Sequence, residues 1–310
     1  MMIDGTPDFN DVAKMTEAGS ELTQSLGNLF PGFAMRSISK AESKATDRML
    51  EDLKKIKNSQ DSLGLSDESL SELMGNAIQR HSRNVNFDAV LKFAAPRINV
   101  DSNPSAIDRD WSEHFRDHAE KACDDDIRRT WAAILAGEIN KPGSFSKRAM
   151  SILSDMGKKE AKSFVKLCSY STGLVANLNG KYVIAGRIIP VLVKDENGSS
   201  FNDGKIRLDE LSTLDSLGLI DQMLQNVNSF PSGTSSPFLA NDALVIATNT
   251  GSDKKIHFSG AVFRPVGLEL AHICKLGCAS NLAETLTKIF KENDLEVNIT
   301  PIQTGDIQML

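Results

Sequence analysis

Residues 131–146 read Trp-Ala-Ala-Ile-Leu-Ala-Gly-Glu-Ile-Asn-Lys-Pro-Gly-Ser-Phe-Ser, a run that demands a helix, an abrupt stop and a second helix start. Ile127, Trp131, Ile134 and Leu135, with Ile139 near the end, fall on or beside one stripe of a 3.6-residue repeat. Cys123-Asp124-Asp125-Asp126 precedes them. An Asp there caps free N–H groups, and the acidic cluster suits the positive end of a helix. Pro142 cannot continue a helical hydrogen-bond ladder, and Gly143 permits the chain to reverse. Ser144 or Ser146 is then placed to cap a following helix with apolar positions Ala149, Ile152, Leu153 and Met156.

Glu138 is the odd residue of this run. It shares the Trp131 stripe and stands in the last turn, where the helix dipole disfavours an anion. One reading makes it an acid or base with a raised pKa. The other makes it a structural acceptor for the backbone N–H groups of the Gly143–Phe145 turn, or a partner for Arg148. The structural reading is favoured, because one carboxylate without a second catalytic group is not a site.

The length of 310 residues allows two or three units with a sizeable core. A net charge of −6 argues against a general polyanion binder, although a local basic surface stays open. Cys123, Cys168, Cys274 and Cys278 are too few and too scattered for a disulfide scaffold. There is no charged start followed by an apolar signal core, and no run long enough to span a bilayer. A reduced, cytoplasmic, bacterial-type protein is the expectation.

The pattern along the chain gives an α+β fold with a mostly helical N-terminal half and a mixed C-terminal part. Three regions are expected: a helical arm over 1–62, a helical core domain over 63–170, and an α+β domain over 171–310. In the arm, residues 22–35 carry no charge, and bases return through Lys57 over a narrow stripe of Ile38, Ala41, Ala45, Met49, Leu53 and Ile56. Residues 22–57 read either as a membrane-surface element or as an arm packing on its own core or on a second copy. The arm is favoured, since Gly27 and Pro31-Gly32 break the candidate membrane segment. Ser66-Asp67-Glu68 starts a helix through Ile78, and a second helical run holds Phe87, Val90, Leu91 and Ala94. Ile107, Trp111, Phe115 and Ala119 mark another helix, up to about Lys121. Beyond Ser171, Tyr182–Val193 reads as one or two strands, Leu208–Leu217 as a short helix and Phe230–Asn241 as a loop. Ala243–Thr248 and Ile256–Phe263 read as paired strands. Pro265 opens a helix reaching about Leu276, and a last helix around Leu282–Phe290 precedes a last strand at Leu295–Ile299.

Several constellations bear on chemistry. His114 and His118 sit one turn apart on a helix, a spacing that can hold a metal, but no third ligand is evident. A solvated face opposite Trp111 and Phe115 is the expected alternative. His272, Cys274 and Cys278 lack a second ligand pair and read as buried helix residues. The phosphate loop G-x-x-x-x-G-K-[S/T], the G-x-G-x-x-G turn and the G-x-S-x-G elbow do not occur, so nucleotide hydrolysis and serine-hydrolase chemistry have no support. No cofactor or metal is expected. Residues 101–126 hold nine acids and three bases, whereas 141–166 hold seven bases and two acids. Pairing of these blocks, within the fold or between subunits, is favoured over a basic helix facing a phosphate backbone. The C-terminal order of elements resembles a winged helix, with Leu208–Leu217 as groove reader, yet that helix carries Asp209, Glu210 and Asp215. A winged-helix-like domain used for packing or protein contacts is expected instead.

The segments Asn86-Phe-Asp-Ala-Val-Leu-Lys-Phe-Ala, Ile107-Asp-Arg-Asp-Trp111, Trp131-Ala-Ala-Ile-Leu-Ala-Gly-Glu138 and Pro142-Gly-Ser-Phe-Ser146 resemble an uncharacterised bacterial family of domains of unknown function. More distantly they are similar to the abortive-infection alpha family of phage resistance. Gly218-Leu-Ile220 and Val266-Gly-Leu-Glu-Leu270 are weaker C-terminal echoes; Arg264-Pro265 departs from the Leu-Thr-x-x-Gly-x-x-Leu pattern there. The resemblance implies membership and fold, with Trp111, Trp131, Glu138, Pro142, Gly143 and Ser144 as structural motif residues, and supplies no catalytic residue. The expected function is a non-enzymatic protein acting through a protein partner or as a homo-oligomer, in phage defence or stress. The alternative is a nucleic-acid-binding regulator using residues 141–166.

Overall fold

The computed structural model describes residues 29–30, 41–99, 101–178, 181–184, 187–194, 200–202, 204–224, 226–258, 260–302 and 307–308. The polar lead-in and most of the uncharged stretch 22–35 lie outside them. The chain divides into two compact units, Met1–Ser151 and Ile152–Leu310.

The first unit is helical: α1 (Ala41–Asn58), α2 (Asp67–Ala94), α3 (Arg109–Ala119), α4 (Asp125–Asn140) and α5 (Lys147–Asp155), which carries the chain past Ser151. The last four starts have a visible cause. The side chains of Ser66, Asp108, Asp124 and Ser146 accept from the N–H groups of Ser69, Trp111, Asp126 and Ala149. The two helical runs expected over 66–95 are a single helix of 28 residues. No Gly or Pro falls in the polar stretch 79–86, so nothing there interrupts the ladder. Its two halves differ in burial. Asn86, Phe87, Val90, Leu91 and Ala94 are core residues, whereas Leu70 alone is buried in the first half.

The core of this unit is aromatic, although aromatic residues are only 6% of the chain. Phe30 meets Phe87 edge-on at 5.0 Å, Trp111 stacks on Phe115 at 5.2 Å, and Phe115 meets Trp131 at 5.7 Å. Phe30, from the uncharged stretch, is therefore buried in protein. Arg128 donates to Asn86 at 2.7 Å, and Asn86 donates to the Glu120 carbonyl at 3.0 Å, which ties α2, the end of α3 and α4 together.

The second unit is mixed. It begins with α6 (Lys158–Ser169), β1 (Ser171–Thr172), β2 (Val175–Leu178), β3 (Lys181–Ile184), β4 (Ile189–Pro190), β5 (Ser200–Phe201) and β6 (Ile206–Arg207). It continues through α7 (Leu208–Ser216), β7 (Ile220–Asp221), β8 (Asn226–Phe230), β9 (Ser235–Ala240), β10 (Ala243–Thr248), β11 (Lys254–Phe258) and β12 (Val262–Phe263). It closes with α8 (Pro265–Ala271), α9 (Leu282–Glu292), β13 (Glu296–Pro301) and β14 (Ile307–Gln308). The sheets are small and antiparallel, apart from β14 beside β3. The fold is thus α+β. Phe230, Phe238, Phe258 and Phe290 form its aromatic core; Phe290 of α9 lies 5.2 Å from Phe238 and 5.6 Å from Phe230.

Three expectations are corrected here. The Phe230–Asn241 loop contains a strand: β9 pairs with β10 across the Asn241-Asp242 turn, where Asn241 has φ 54°. Pro237 stands in β9, but β9 is the edge of the order β13-β10-β9, where a missing N–H is tolerated. Consequently β10 pairs with β9 and β13, and β11 pairs with β8 rather than with β10. The helix opened by Pro265 ends at Ala271, so Cys274 and Cys278 lie in the turns that follow it.

Candidate functional site

The motif of residues 131–146 forms a corner between α4 and α5, and its polar groups are matched one to one. Glu138 is 4% exposed. Its Oε1 accepts from the Gly143 N–H at 2.6 Å and its Oε2 from the Phe145 N–H at 2.9 Å. The Trp111 indole donates to the Phe145 carbonyl at 2.6 Å. Gly143 has φ 87°, a left-handed conformation that glycine adopts without strain. Gly137 is required for a different reason: a Cβ there would meet the Phe145 ring at 2.6 Å. Ser144 donates to the Lys141 carbonyl at 2.6 Å and closes the turn. Pro142 is exposed and stops α4. One helical turn earlier, the Asn140 side chain accepts from the Asn99 N–H at 2.8 Å and donates to the Arg97 carbonyl at 2.9 Å. Both carboxylate oxygens of Glu138 are engaged with backbone, which fixes a reversal of the chain.

The two histidines do not form a solvated face. Their rings lie 4.6 Å apart, His118 stacks on Trp131 at 5.9 Å, and His114 meets the Ser151 hydroxyl at 3.2 Å. They serve as a polar edge to the aromatic core. Among the described residues, no group of three or more His, Cys, Asp or Glu side chains is arranged to hold a metal ion.

In the second unit the chain brings Cys168 to Cys274 and Cys278, a juxtaposition invisible in the sequence. The Gly277 N–H donates to the Cys168 carbonyl at 3.3 Å, and the Ala279 N–H to the Ser169 carbonyl at 3.0 Å. Burial, followed by a hydrogen bond with the Cys274 thiol, pushes the Cys168 thiol well above its usual range. Burial also raises Cys278. Thiols held protonated in this way are poor nucleophiles.

The basic block of 141–166 is divided between α5 and α6. Lys147 pairs with Asp110 of the acidic block, and Lys166 donates to Glu210 at 2.7 Å and 3.0 Å. Lys158, Lys159 and Lys162 are exposed along α6. The α7 helix turns its carboxylates toward bases: Glu210 also accepts from Ser163 and the Arg207 N–H, and Asp215 pairs with Arg264 at 2.9 Å. Burial pushes the Glu210 carboxyl up, but the Arg207 N–H, Lys166 and Ser163 outweigh it and hold the carboxyl below its usual value of 4.5. The two C-terminal echoes of the motif press on each other. The Arg264 N–H donates to the Leu219 carbonyl at 3.0 Å, and a Cβ on Gly267 would collide with that same carbonyl.

These features define an α+β protein whose repeated signature is a set of backbone-locking corners. The chain belongs to the DUF2806 family, described as a protein of unknown function, whose profile matches residues 75–287. Comparisons with curated proteins and with solved structures give no match.

Proposed function

We propose that this protein acts through contacts with other proteins rather than by catalysis, and that the hairpin of α1 and α2 is its contact element. The observation that carries this reading is the set of exposed apolar side chains on that hairpin. Leu53 and Leu70 are buried, yet Leu50, Leu63, Leu73 and Ile78 are 47%, 59%, 48% and 50% exposed. Single exposed leucines are ordinary, but four large exposed apolar side chains on one helical hairpin support an interaction surface. The engaged state of Glu138 supports the same reading. The distant resemblance expected from the sequence to the abortive-infection alpha family is the reason for proposing phage defence as the setting. Among the described residues no helix is long and apolar enough to cross a membrane.

The test is a double substitution, Leu73→Asp with Ile78→Asp, on positions whose exposure keeps the folding cost small. Cross-linking in cells and phage plating are expected to lose both the higher-mass adduct and the protection. Protection that persists in this variant but vanishes in Glu138→Gln at unchanged stability sinks the reading in favour of an enzyme. Exposed Lys158, Lys159 and Lys162 support a second reading, nucleic-acid binding through α6. A salt-dependent gel shift abolished by their replacement would establish it.

A further inference from the structure

Strand β8 alternates as a half-buried strand should, but two of its inward positions are amides. Asn226 and Phe230 are buried, Asn228 is half-buried, and Val227 and Ser229 face solvent. Opposite them on β11, Phe258 and Ile256 are apolar and buried. Asn226 is 2% exposed. Its Oδ1 accepts from the Arg187 guanidinium at 3.5 Å. That contact orients the amide, and the Nδ2 on its other side is a buried donor with no acceptor among the described residues. The Nδ2 of Asn228 is a second such donor. Arg187 is exposed, and no carboxylate among the described residues pairs with it. Asp221, the acid at the end of β7, already accepts from the Met223 N–H at 3.0 Å and lies 3.9 Å from Arg264.

Buried donors are almost always satisfied, and each exception calls for an account. This cluster offers a guanidinium and two amide NH2 groups, and the Asn226 Oδ1 is already engaged by Arg187. Asn226 and Asn228 are two strand steps apart, roughly 6.6 Å along β8, so a tetrahedral or planar oxyanion with several acceptor oxygens can meet both. Such a group also matches the fork of an arginine. We infer that Arg187, Asn226 and Asn228 form a binding subsite for the oxyanion group, phosphate or carboxylate, of a small ligand. The subsite is independent of the α1–α2 contact surface. A neutral apolar ligand would leave the donors unsatisfied, and a cation would meet the guanidinium.

The experiment uses the full chain, with side-chain amide resonances followed by NMR. Inorganic phosphate and acetate are titrated separately at constant ionic strength against chloride. The Asn226 and Asn228 amide pairs are expected to shift and saturate in the millimolar range. Arg187→Gln, at an exposed position, is expected to weaken that response about tenfold or more, the loss of a charge-assisted hydrogen bond, with the melting temperature of the free protein unchanged. Stronger binding of phosphate assigns a phosphorylated ligand; stronger binding of acetate assigns a carboxylate. Shifts no larger than those in chloride, shifts unaltered in Arg187→Gln, or amides that contact only water overturn the subsite.

Discussion

The Glu138 corner and the Asn226 row are both buried polar clusters, and they are opposites. At the corner, a carboxylate is surrounded by the N–H groups of Gly143 and Phe145, and the Phe145 carbonyl by the Trp111 indole. Donors and acceptors cancel. On β8, the amides of Asn226 and Asn228 face inward with donors that meet no acceptor among the described residues. A matched cluster shapes the chain and has nothing left to give to a ligand. An unmatched one is maintained at the expense of stability, which is the usual mark of a place kept for binding. A buried charge is therefore a weaker pointer to function here than a buried neutral amide.

The sharpest way to break this contrast is Glu138→Ala. It strands the buried Phe145 N–H and the part-buried Gly143 N–H and should lower stability by about 2 to 4 kcal/mol in chemical denaturation, whereas Glu138→Gln, which keeps one acceptor oxygen, should lose less. A loss below about 1 kcal/mol would mean that the corner is held by something else. Gly137→Ala comes next. Its methyl must displace the Phe145 ring, for a loss of about 1 to 3 kcal/mol, read in the same way. A pH titration of stability probes a third, partly exposed cluster. The carboxyl of Glu210 is depressed in the folded protein. Its contribution is complete above the unfolded value and is lost as pH falls through the folded one. Glu210→Gln should therefore flatten the acid limb and leave stability above pH 7 reduced. Asn226→Leu should change stability by less than about 1 kcal/mol in either direction, since removing an unsatisfied donor offsets the lost contact with Arg187. A loss as large as that of Glu138→Ala would erase the distinction between the clusters. Smallest is Gly75→Ala on the open side of α2, where an added Cβ meets nothing within 4 Å. It should raise stability by about 0.5 to 1 kcal/mol, seen as a small rise in melting temperature.

Helices with caps and periodic apolar stripes were readable from residues alone: Asp124 before Trp131 and Ser66 before Leu70 both act locally. The acceptor role of Glu138 was also legible, because its targets lie five and seven residues ahead. What escaped was non-local or overridden by context. The pairing of β10 depended on an edge that hides the defect of Pro237, and on β13, more than fifty residues further along the chain. Continuity of α2 through a polar stretch had no periodic signal, since its first half buries almost nothing. The meeting of Cys168 with Cys274, and of Arg187 with Asn226, spans distances over which spacing carries no information. The only local trace of the β8 subsite was asparagine alternating at inward strand positions, where Val or Ile is favoured.

The family match begins at residue 75, inside α2, and ends at 287, inside α9. Phe30 lies before the first border and Phe290 beyond the second, yet each completes the ring cluster of its own unit. A fragment excised at those borders would carry a phenyl-sized hole on both sides, a penalty of about 3 to 5 kcal/mol for each ring. Set against a total stability of about 5 to 15 kcal/mol, that is enough to unfold it. The borders by which this domain is recognised are not the borders by which it folds.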